Sequence, residues 1–94
     1  MPVFWGTMME IIKSDQLKIK ILKELAKAKG DLSYYAVMKR LKMNDSVFFR
    51  NCRFLELLEL VAVHDIRMPN GRAYHYVSIT QQGRDFLERV AKAE

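Results

Sequence analysis

Arg50 and Arg53 are three positions apart in a stretch with helical periodicity, so both are expected on one side of a helix. Guanidinium groups bind phosphate oxygens and the major-groove edge of guanine when they are exposed on a rigid support. A second pair, Arg67 and Arg72, flanks a turn formed by residues 69–71, Pro-Asn-Gly. Arginines at the tip of a hairpin can reach phosphates or a narrow minor groove. These four side chains predict contact with a polyanion.

The segment that carries the first pair has an apolar side and a cationic side. Steps of four, three and four separate Phe48, Cys52, Leu55 and Glu59, which predicts one inward helix face. The N-cap is expected at Asn44, Asp45 or Ser46. The outward face and its flanks hold the candidate contacts Ser46, Phe49, Arg50, Asn51 and Arg53.

A preceding helix and a short turn complete a helix-turn-helix pattern. Ser33 is the expected N-cap of this helix, and "KMND" interrupts it. Tyr34, Val37, Met38 and Leu41 are the candidate buried positions. Its cationic residues are Lys39, Arg40 and Lys42. Together with the two helix arginines they fall within fifteen residues that contain one acidic residue, Asp45. The positive charge is therefore concentrated on this pair of helices.

The loop of residues 69–71 decides which side chains of the following hairpin share a face. A two-residue turn would direct half of the apolar strand residues away from the core. A three-residue loop, with a type I turn and Gly71 in the left-handed bulge position, puts four apolar side chains on one face. Those pairs are Val61 with Ile79 and Val63 with Val77. We therefore predict the three-residue loop, with Asp65 opposite His75 as a cross-strand ion pair.

Two further helices are predicted at the flanks of this unit. The first follows a cap at Ser14 or Asp15 and ends near Gly30. Its apolar residues recur at helical spacing on one face, and they are Leu17, Ile21, Leu25 and Ala28. Three further apolar residues widen that face, namely Ile19, Leu22 and Ala26. Its lysines are expected to be solvated, and they are Lys18, Lys20, Lys23, Lys27 and Lys29. Thr80 caps the last helix, whose apolar positions are Phe86, Leu87, Val90 and Ala91.

The N-terminal residues 1–13 are too apolar for a solvated tail, and residues 8–13 could form a short helix. We interpret residues 1–13 as an extension used in dimerisation, with residues 1–94 forming one domain. The interface of a homodimer is expected to include this extension, the first helix and the last helix.

Composition excludes several classes of protein. The 94 residues include 16 Lys and Arg against 11 Asp and Glu, for a net charge of +5. No stretch approaches the ~18 apolar residues of a membrane span. Cys52 is the only cysteine, so an internal disulfide framework is impossible and a cytoplasmic location is the simplest interpretation.

The side chains that could support catalysis or bind a metal do not form a complete site. His64 and His75 lie on opposite hairpin faces in the preferred register, so no metal site is expected. Asp65 and His75 lack a nucleophile, and no glycine-rich phosphate loop occurs. We expect no cofactor and no enzymatic activity.

From "YYAVMKRLKMNDSVFFRNCRFLELLELV" through "VSITQQGRDFL" the chain resembles the winged helix-turn-helix transcription regulators, particularly the MarR-like and PadR-like groups. "LELLELV" and "SITQQG" carry the resemblance, and Glu59 departs from it where these families often have glycine. The resemblance implies a mostly α fold with a small antiparallel β-hairpin, and a homodimer that reads a pseudo-palindromic operator in double-stranded DNA.

By the same resemblance, residues 46–54 are the recognition helix. Arg50 and Arg53 would contact guanine edges or phosphates, and Phe49 and Asn51 would contact thymine methyl groups and adenine. Residues 67–72 are the wing, which would bring Arg67, Asn70 and Arg72 to phosphates or the minor groove.

Two alternatives remain open from the sequence. The helix arginines could form surface ion pairs with Glu56 or another carboxylate, and the hairpin arginines could serve solubility alone. The chain could also be a winged-helix module that binds protein in a larger assembly. Only the DNA-binding hypothesis predicts a large loss of duplex affinity when Arg50 and Arg53 are replaced.

Overall fold

The computed structural model describes residues 16–93 of the 94-residue chain, without the side chain of residue 93. The elements follow in the order α1 (Gln16–Ala26), β1 (Leu32–Ser33), α2 (Tyr34–Leu41), α3 (Asp45–Leu57), β2 (Val61–Arg67), β3 (Ala73–Ile79) and α4 (Gln81–Ala93). The short helix expected at residues 8–13, the cap at Ser14 or Asp15 and the extension of residues 1–13 lie outside the described residues.

The hairpin has the register that the sequence predicts. β2 and β3 pair antiparallel with Val61 opposite Ile79 and Arg67 opposite Ala73. The Met68 amide donates to the Arg72 carbonyl at 2.8 Å, and Gly71 has φ 86°, in the left-handed region. The three-residue loop is therefore confirmed. It keeps the apolar strand side chains on the core face, as the side-chain alternation of a strand requires.

A third strand joins the sheet and was not predicted. The strand order is β1-β3-β2, with Leu32 opposite Val77 and Ser33 opposite Tyr76. Two residues are too short for an alternating pattern, so no sequence signal marks β1 as a strand. β1 anchors the start of α2 directly to the sheet.

Side-chain caps begin three of the helices, as predicted. The Ser33 hydroxyl accepts from the Ala36 amide at 3.1 Å at the start of α2. Asn44 is the cap of α3, and its Oδ1 accepts from the Val47 amide at 2.9 Å. The Thr80 hydroxyl accepts from the Gly83 amide at 2.9 Å at the start of α4. These bonds satisfy amides that have no partner within the helix.

The core lies between the helices and the inner face of the sheet. Its fully buried members from the helices include Ile21, Leu22, Leu25, Val37, Phe48, Cys52, Leu55 and Phe86. Three predicted positions are wrong. Ala28 lies beyond the end of α1, Leu17 is 36% exposed, and Ala91 faces solvent. α1 ends at Ala26, four residues before Gly30, and the next two amides, of Lys27 and Ala28, donate to carbonyls three residues back instead of four.

The inward face of α3 was predicted to continue to Glu59, which is wrong because the helix ends at Leu57. The Leu60 amide donates to the Leu55 carbonyl at 3.0 Å and the Glu59 amide to the Glu56 carbonyl at 2.9 Å. This is the Schellman pattern, which places the residue before Leu60 in the left-handed region. Glu59 has φ 61°. Glycine is favoured at such a position because a side chain is strained there.

Replacing Glu59 by glycine is expected to raise the free energy of unfolding by up to about 1 kcal/mol, because relief of the left-handed strain exceeds the added entropy of the unfolded chain. Urea unfolding measures the effect. Glu88→Gly is the control, since it removes the same charge from the interior of α4, and it is expected to cost about 1 kcal/mol. A loss of stability in Glu59→Gly would contradict this account of the turn.

Candidate nucleic-acid interface

α3 presents two unpaired guanidinium groups to solvent. Phe48, Cys52 and Leu55 are completely buried and anchor the helix from behind. Arg50 and Arg53 are exposed. Among residues 16–93 no carboxylate pairs with either of them, so the predicted alternative of an ion pair with Glu56 is not observed. Both cations are available to an external anion. Ser46, in the first turn of the helix, is also exposed.

Asn51 was expected on the flank of this outward face, and that placement is wrong. The side chain is 7% exposed. Its Oδ1 accepts from Lys18 Nζ at 2.8 Å, and its Nδ2 donates to the Val47 carbonyl at 2.7 Å. Asn51 is three residues after Phe48 and four before Leu55, so helical geometry places it beside the buried face, against α1. Its amide is not presented to a base edge.

Lys18 was expected to be solvated and is instead half-buried at the junction of α1 and α3. Besides its bond to Asn51, its ammonium lies 4.8 Å from the centroid of the Phe54 ring. The signal that could have identified it is its spacing, since Lys18 is three residues before Ile21 and seven before Leu25 on the buried stripe. A long aliphatic stem allows a lysine to occupy such a position.

The remaining cations of the helix-turn-helix lie on α2 and directly after its last residue. Lys39, Arg40 and Lys42 are exposed. Lys39 Nζ lies 5.6 Å from the centroid of the Tyr35 ring. Lys42 ends α2 with φ 56°, again in the left-handed region, and this conformation makes the tight turn into α3. These cations lie on the chain just before the two arginines of α3 and extend the positive surface.

Phe49 connects α3 to the hairpin. It is 44% exposed, and its ring centroid lies 5.3 Å from Tyr34 and 6.0 Å from His75. Tyr34 and His75 are themselves 5.4 Å apart. We call these three rings the aromatic triangle. It forms part of the wall of an open cleft of about 460 Å³ between α3 and the hairpin, which Arg53 and Glu56 also line.

The hairpin tip carries the second pair of cations. Arg67 and Arg72 are exposed on either side of the loop. Asn70 is exposed as well, but its Oδ1 accepts from the Arg72 amide at 3.0 Å. The amide side chain therefore holds the turn in shape. Asn70 therefore helps to position the loop between the two arginines.

Each histidine is paired with an aspartate on its own face of the sheet. His75 Nδ1 lies 2.5 Å from Asp65 Oδ1, which confirms the predicted cross-strand pair. On the other face His64 Nε2 lies 3.0 Å from Asp31 Oδ2. The sequence does not predict this second pair, because Asp31 reaches the sheet through the strand that follows it, β1, which the sequence does not predict either. Within residues 16–93 no three His, Cys, Asp or Glu side chains form a group suited to a metal ion.

Cys52 is buried beside Tyr34 beneath the exposed face of α3. Burial raises the pKa of the Cys52 thiol from 9.0 to about 12, and a hydrogen bond from Tyr34 opposes part of that rise. Burial also holds the pKa of Tyr34 above its usual range. The environment therefore favours the protonated thiol.

The free energy of unfolding is expected to fall as the pH rises above about 9, because the unfolded thiol ionises there and the buried one does not. The unfolded state then binds fewer protons, so stability is lost at up to about 1.4 kcal/mol per pH unit from this group. Chemical denaturation at several pH values measures the slope. Cys52→Ala should have a shallower slope, and identical slopes would contradict the assignment.

Similarity to solved structures was found by comparison of the fold. A PadR-like transcription factor from Bacteroides fragilis matches 93% of this chain and 87% of its own with a TM-score of 0.76 and 15% identity. The protein TA0346 from Thermoplasma acidophilum, described as a transcriptional regulator, matches 87% of this chain and 82% of its own with a TM-score of 0.73 and 20% identity. The regulator BpsR from Bordetella bronchiseptica, whose DNA binding is regulated by 6-hydroxynicotinic acid, matches 80% of this chain with a TM-score of 0.67 and 23% identity.

This chain has the winged helix-turn-helix fold of these regulators, as the resemblance in sequence predicted. It spans about half the length of some of them, with 55% of the Bordetella protein and 51% of YusO from Bacillus subtilis. No protein-family model matches the sequence, and no curated protein shows significant sequence similarity. None of the helices in residues 16–93 has the length and apolar character needed to cross a membrane.

Proposed function

We propose that this chain is a sequence-specific regulator of transcription that binds double-stranded DNA. Residues 46–54 enter the major groove, and residues 67–72 contact phosphates or the minor groove. The observation that carries the proposal is the pair of unpaired guanidinium groups on α3, Arg50 and Arg53, on a helix whose other face is locked into the core. Helices supported in this way can hold cations at base edges.

The charge distribution of the interface supports the same function. The exposed cations of α2 and of the hairpin tip add to those of α3, so further positive charge is available for contacts with phosphates. The solved winged-helix structures that the chain resembles are described as transcriptional regulators, which supports this function over an enzymatic one.

Binding of labelled duplexes across a salt gradient tests the proposal. Selection from a random pool supplies the preferred duplex, and fluorescence anisotropy then gives its affinity. A DNA-binding regulator should bind it more tightly than a scrambled duplex, by about 1,000-fold or more for a specific protein. The affinity should fall steeply with salt, because phosphate contacts release counterions. Indifference to duplex DNA and to heparin would instead favour a protein-binding module.

We further propose that the chain acts as a cytoplasmic homodimer. The proposed interface consists of residues 1–13, α1 and α4. Residues 1–13 are included because their composition is more apolar than that of a solvated tail. Two copies would then reach successive major grooves about 34 Å apart on a pseudo-palindromic operator. Sedimentation over a range of concentrations measures the state of assembly, and a monomer at all concentrations would exclude this interface.

A further inference from the structure

Asn51 is the only polar residue with a buried side chain among residues 16–93. Both ends of its amide are engaged, the oxygen with Lys18 Nζ at 2.8 Å and the nitrogen with the Val47 carbonyl at 2.7 Å. The first of these bonds joins residues 33 positions apart, on α1 and α3. We call this contact the Lys18–Asn51 link.

The link acts at the part of α3 that carries the exposed cations. Asn51 directly follows Arg50 and is two residues before Arg53. The Lys18 ammonium also lies 4.8 Å from the centroid of the Phe54 ring, so it contacts two successive turns of α3. Any rotation or sliding of α3 on α1 moves Asn51 and the neighbouring guanidinium groups together.

Apart from Asn51, the residues that these two helices bury are all apolar, and their packing imposes weaker directional constraints. Hydrophobic contact is non-directional, and apolar cores tolerate small rearrangements at modest cost. A hydrogen bond requires a defined distance and angle, and a buried amide that loses its partner is strongly disfavoured. The Lys18–Asn51 link therefore discriminates between positions of α3 that apolar packing would accept.

We propose that Lys18 and Asn51 are positioning residues, whose hydrogen bond sets the rotation and height of α3 on α1 and so the aim of Arg50 and Arg53. The consequence for DNA is selectivity, because a helix free to shift can find compromise contacts with unmatched sequences. This part of the inference rests on the proposed function. The positioning of α3 itself does not.

The decisive variant is the double replacement Lys18→Met with Asn51→Leu. Exchanging both partners for apolar groups of similar size leaves no buried amide unsatisfied, so the melting temperature is expected to stay close to that of the parent. The preference for the selected duplex over a scrambled one should fall about 10-fold, the equivalent of about 1.4 kcal/mol from one poorly aimed base contact. Lys18→Met alone serves as the variant if the double replacement does not fold.

Lys20→Met is the matched control, since it removes one exposed cation from the same helix without touching Asn51. Lys18→Met and Lys20→Met should show the same dependence of affinity on salt, with selectivity reduced only in the first. Lys18→Met could instead weaken the affinity for all duplexes equally and make the slope of log K against log salt shallower by about one released counterion. That result would identify Lys18 as a phosphate ligand. Full selectivity in the double variant would overturn the proposal and leave the link as a stability contact.

Hydrogen exchange provides a measurement that needs no DNA. Loss of the link should speed exchange of the α3 amides about 10-fold while the α4 amides keep their protection, because only the local opening of α3 becomes easier. Unchanged exchange in α3 would overturn the positioning role. If the parent protein binds no duplex and α3 exchange still rises, the link stands and the proposed function fails.

Discussion

Gly83→Ala is expected to lower the free energy of unfolding by about 3 kcal/mol, the upper part of the range for forcing atoms into a packed core. A Cβ at this position would overlap the Leu60 carbonyl oxygen and would lie 2.7 Å from Ile79 Cγ1. The Leu60 oxygen belongs to the backbone and cannot yield easily, because it accepts from the Thr80 amide at 3.1 Å. The Gly83 amide is itself held by the Thr80 hydroxyl at 2.9 Å. The added methyl group must therefore separate α4 from the start of β2.

Gly30→Ala is the control for this substitution, since a Cβ there meets nothing within 4 Å. Its stability is expected to stay the same or to rise by up to about 1 kcal/mol through the lower entropy of the unfolded chain. Thermal and urea unfolding of both variants measure the difference. Equal midpoints for Gly83→Ala and the parent would mean that α4 does not approach Leu60 as closely as the structure shows.

Replacing Arg50 and Arg53 together by glutamine is expected to weaken binding of the selected duplex by about 100-fold or more, because each well-placed arginine contributes about 1–3 kcal/mol. For each arginine that binds a phosphate, its replacement should also make the dependence of log K on log salt shallower by about 0.9. The free energy of unfolding should change by less than about 0.5 kcal/mol, because both side chains are exposed and unpaired. Fluorescence anisotropy and urea unfolding separate the two effects.

The charge-matched control is the replacement of Lys20 and Lys23 by glutamine on α1, where both side chains are exposed. This variant has the same net charge as the arginine variant but leaves α3 intact. Equal reductions of affinity in the two variants would indicate a general effect of charge and would contradict a recognition helix at residues 46–54. Retention of affinity in the arginine variant would favour a different surface altogether.

The hairpin and the caps could be predicted because their determinants are local. Four β-branched residues share a face in only one of the two registers, so Val61, Val63, Val77 and Ile79 select the loop. Ser33 and Thr80 precede apolar periodic segments, which is enough to mark a helix start. The outward placement of Arg50 and Arg53 follows in the same way from the spacing of the buried residues behind them.

The errors arise where a second element decides the outcome. The pattern of α3 alone places Asn51 at the border of its buried face, and only the position of α1 brings Lys18 to it. The pair His64 and Asp31 similarly needs β1. Glu59 departs from the families that the sequence resembles, and its φ of 61° gives the physical reason why glycine is favoured at this position. The pairing of Asn51 with Lys18 and of His64 with Asp31 depends on two elements that meet in space, which the pattern of either segment alone does not show.

The aromatic triangle has a consequence for how α3 and the hairpin move. Phe49 packs on Tyr34 and His75, and His75 also pairs with Asp65 across the two strands, so this part of the hairpin is held against α3. This packing restrains the separation between the cations of α3 and those of the hairpin tip. Surfaces that are already held in place lose less conformational freedom on association than surfaces that must first be ordered.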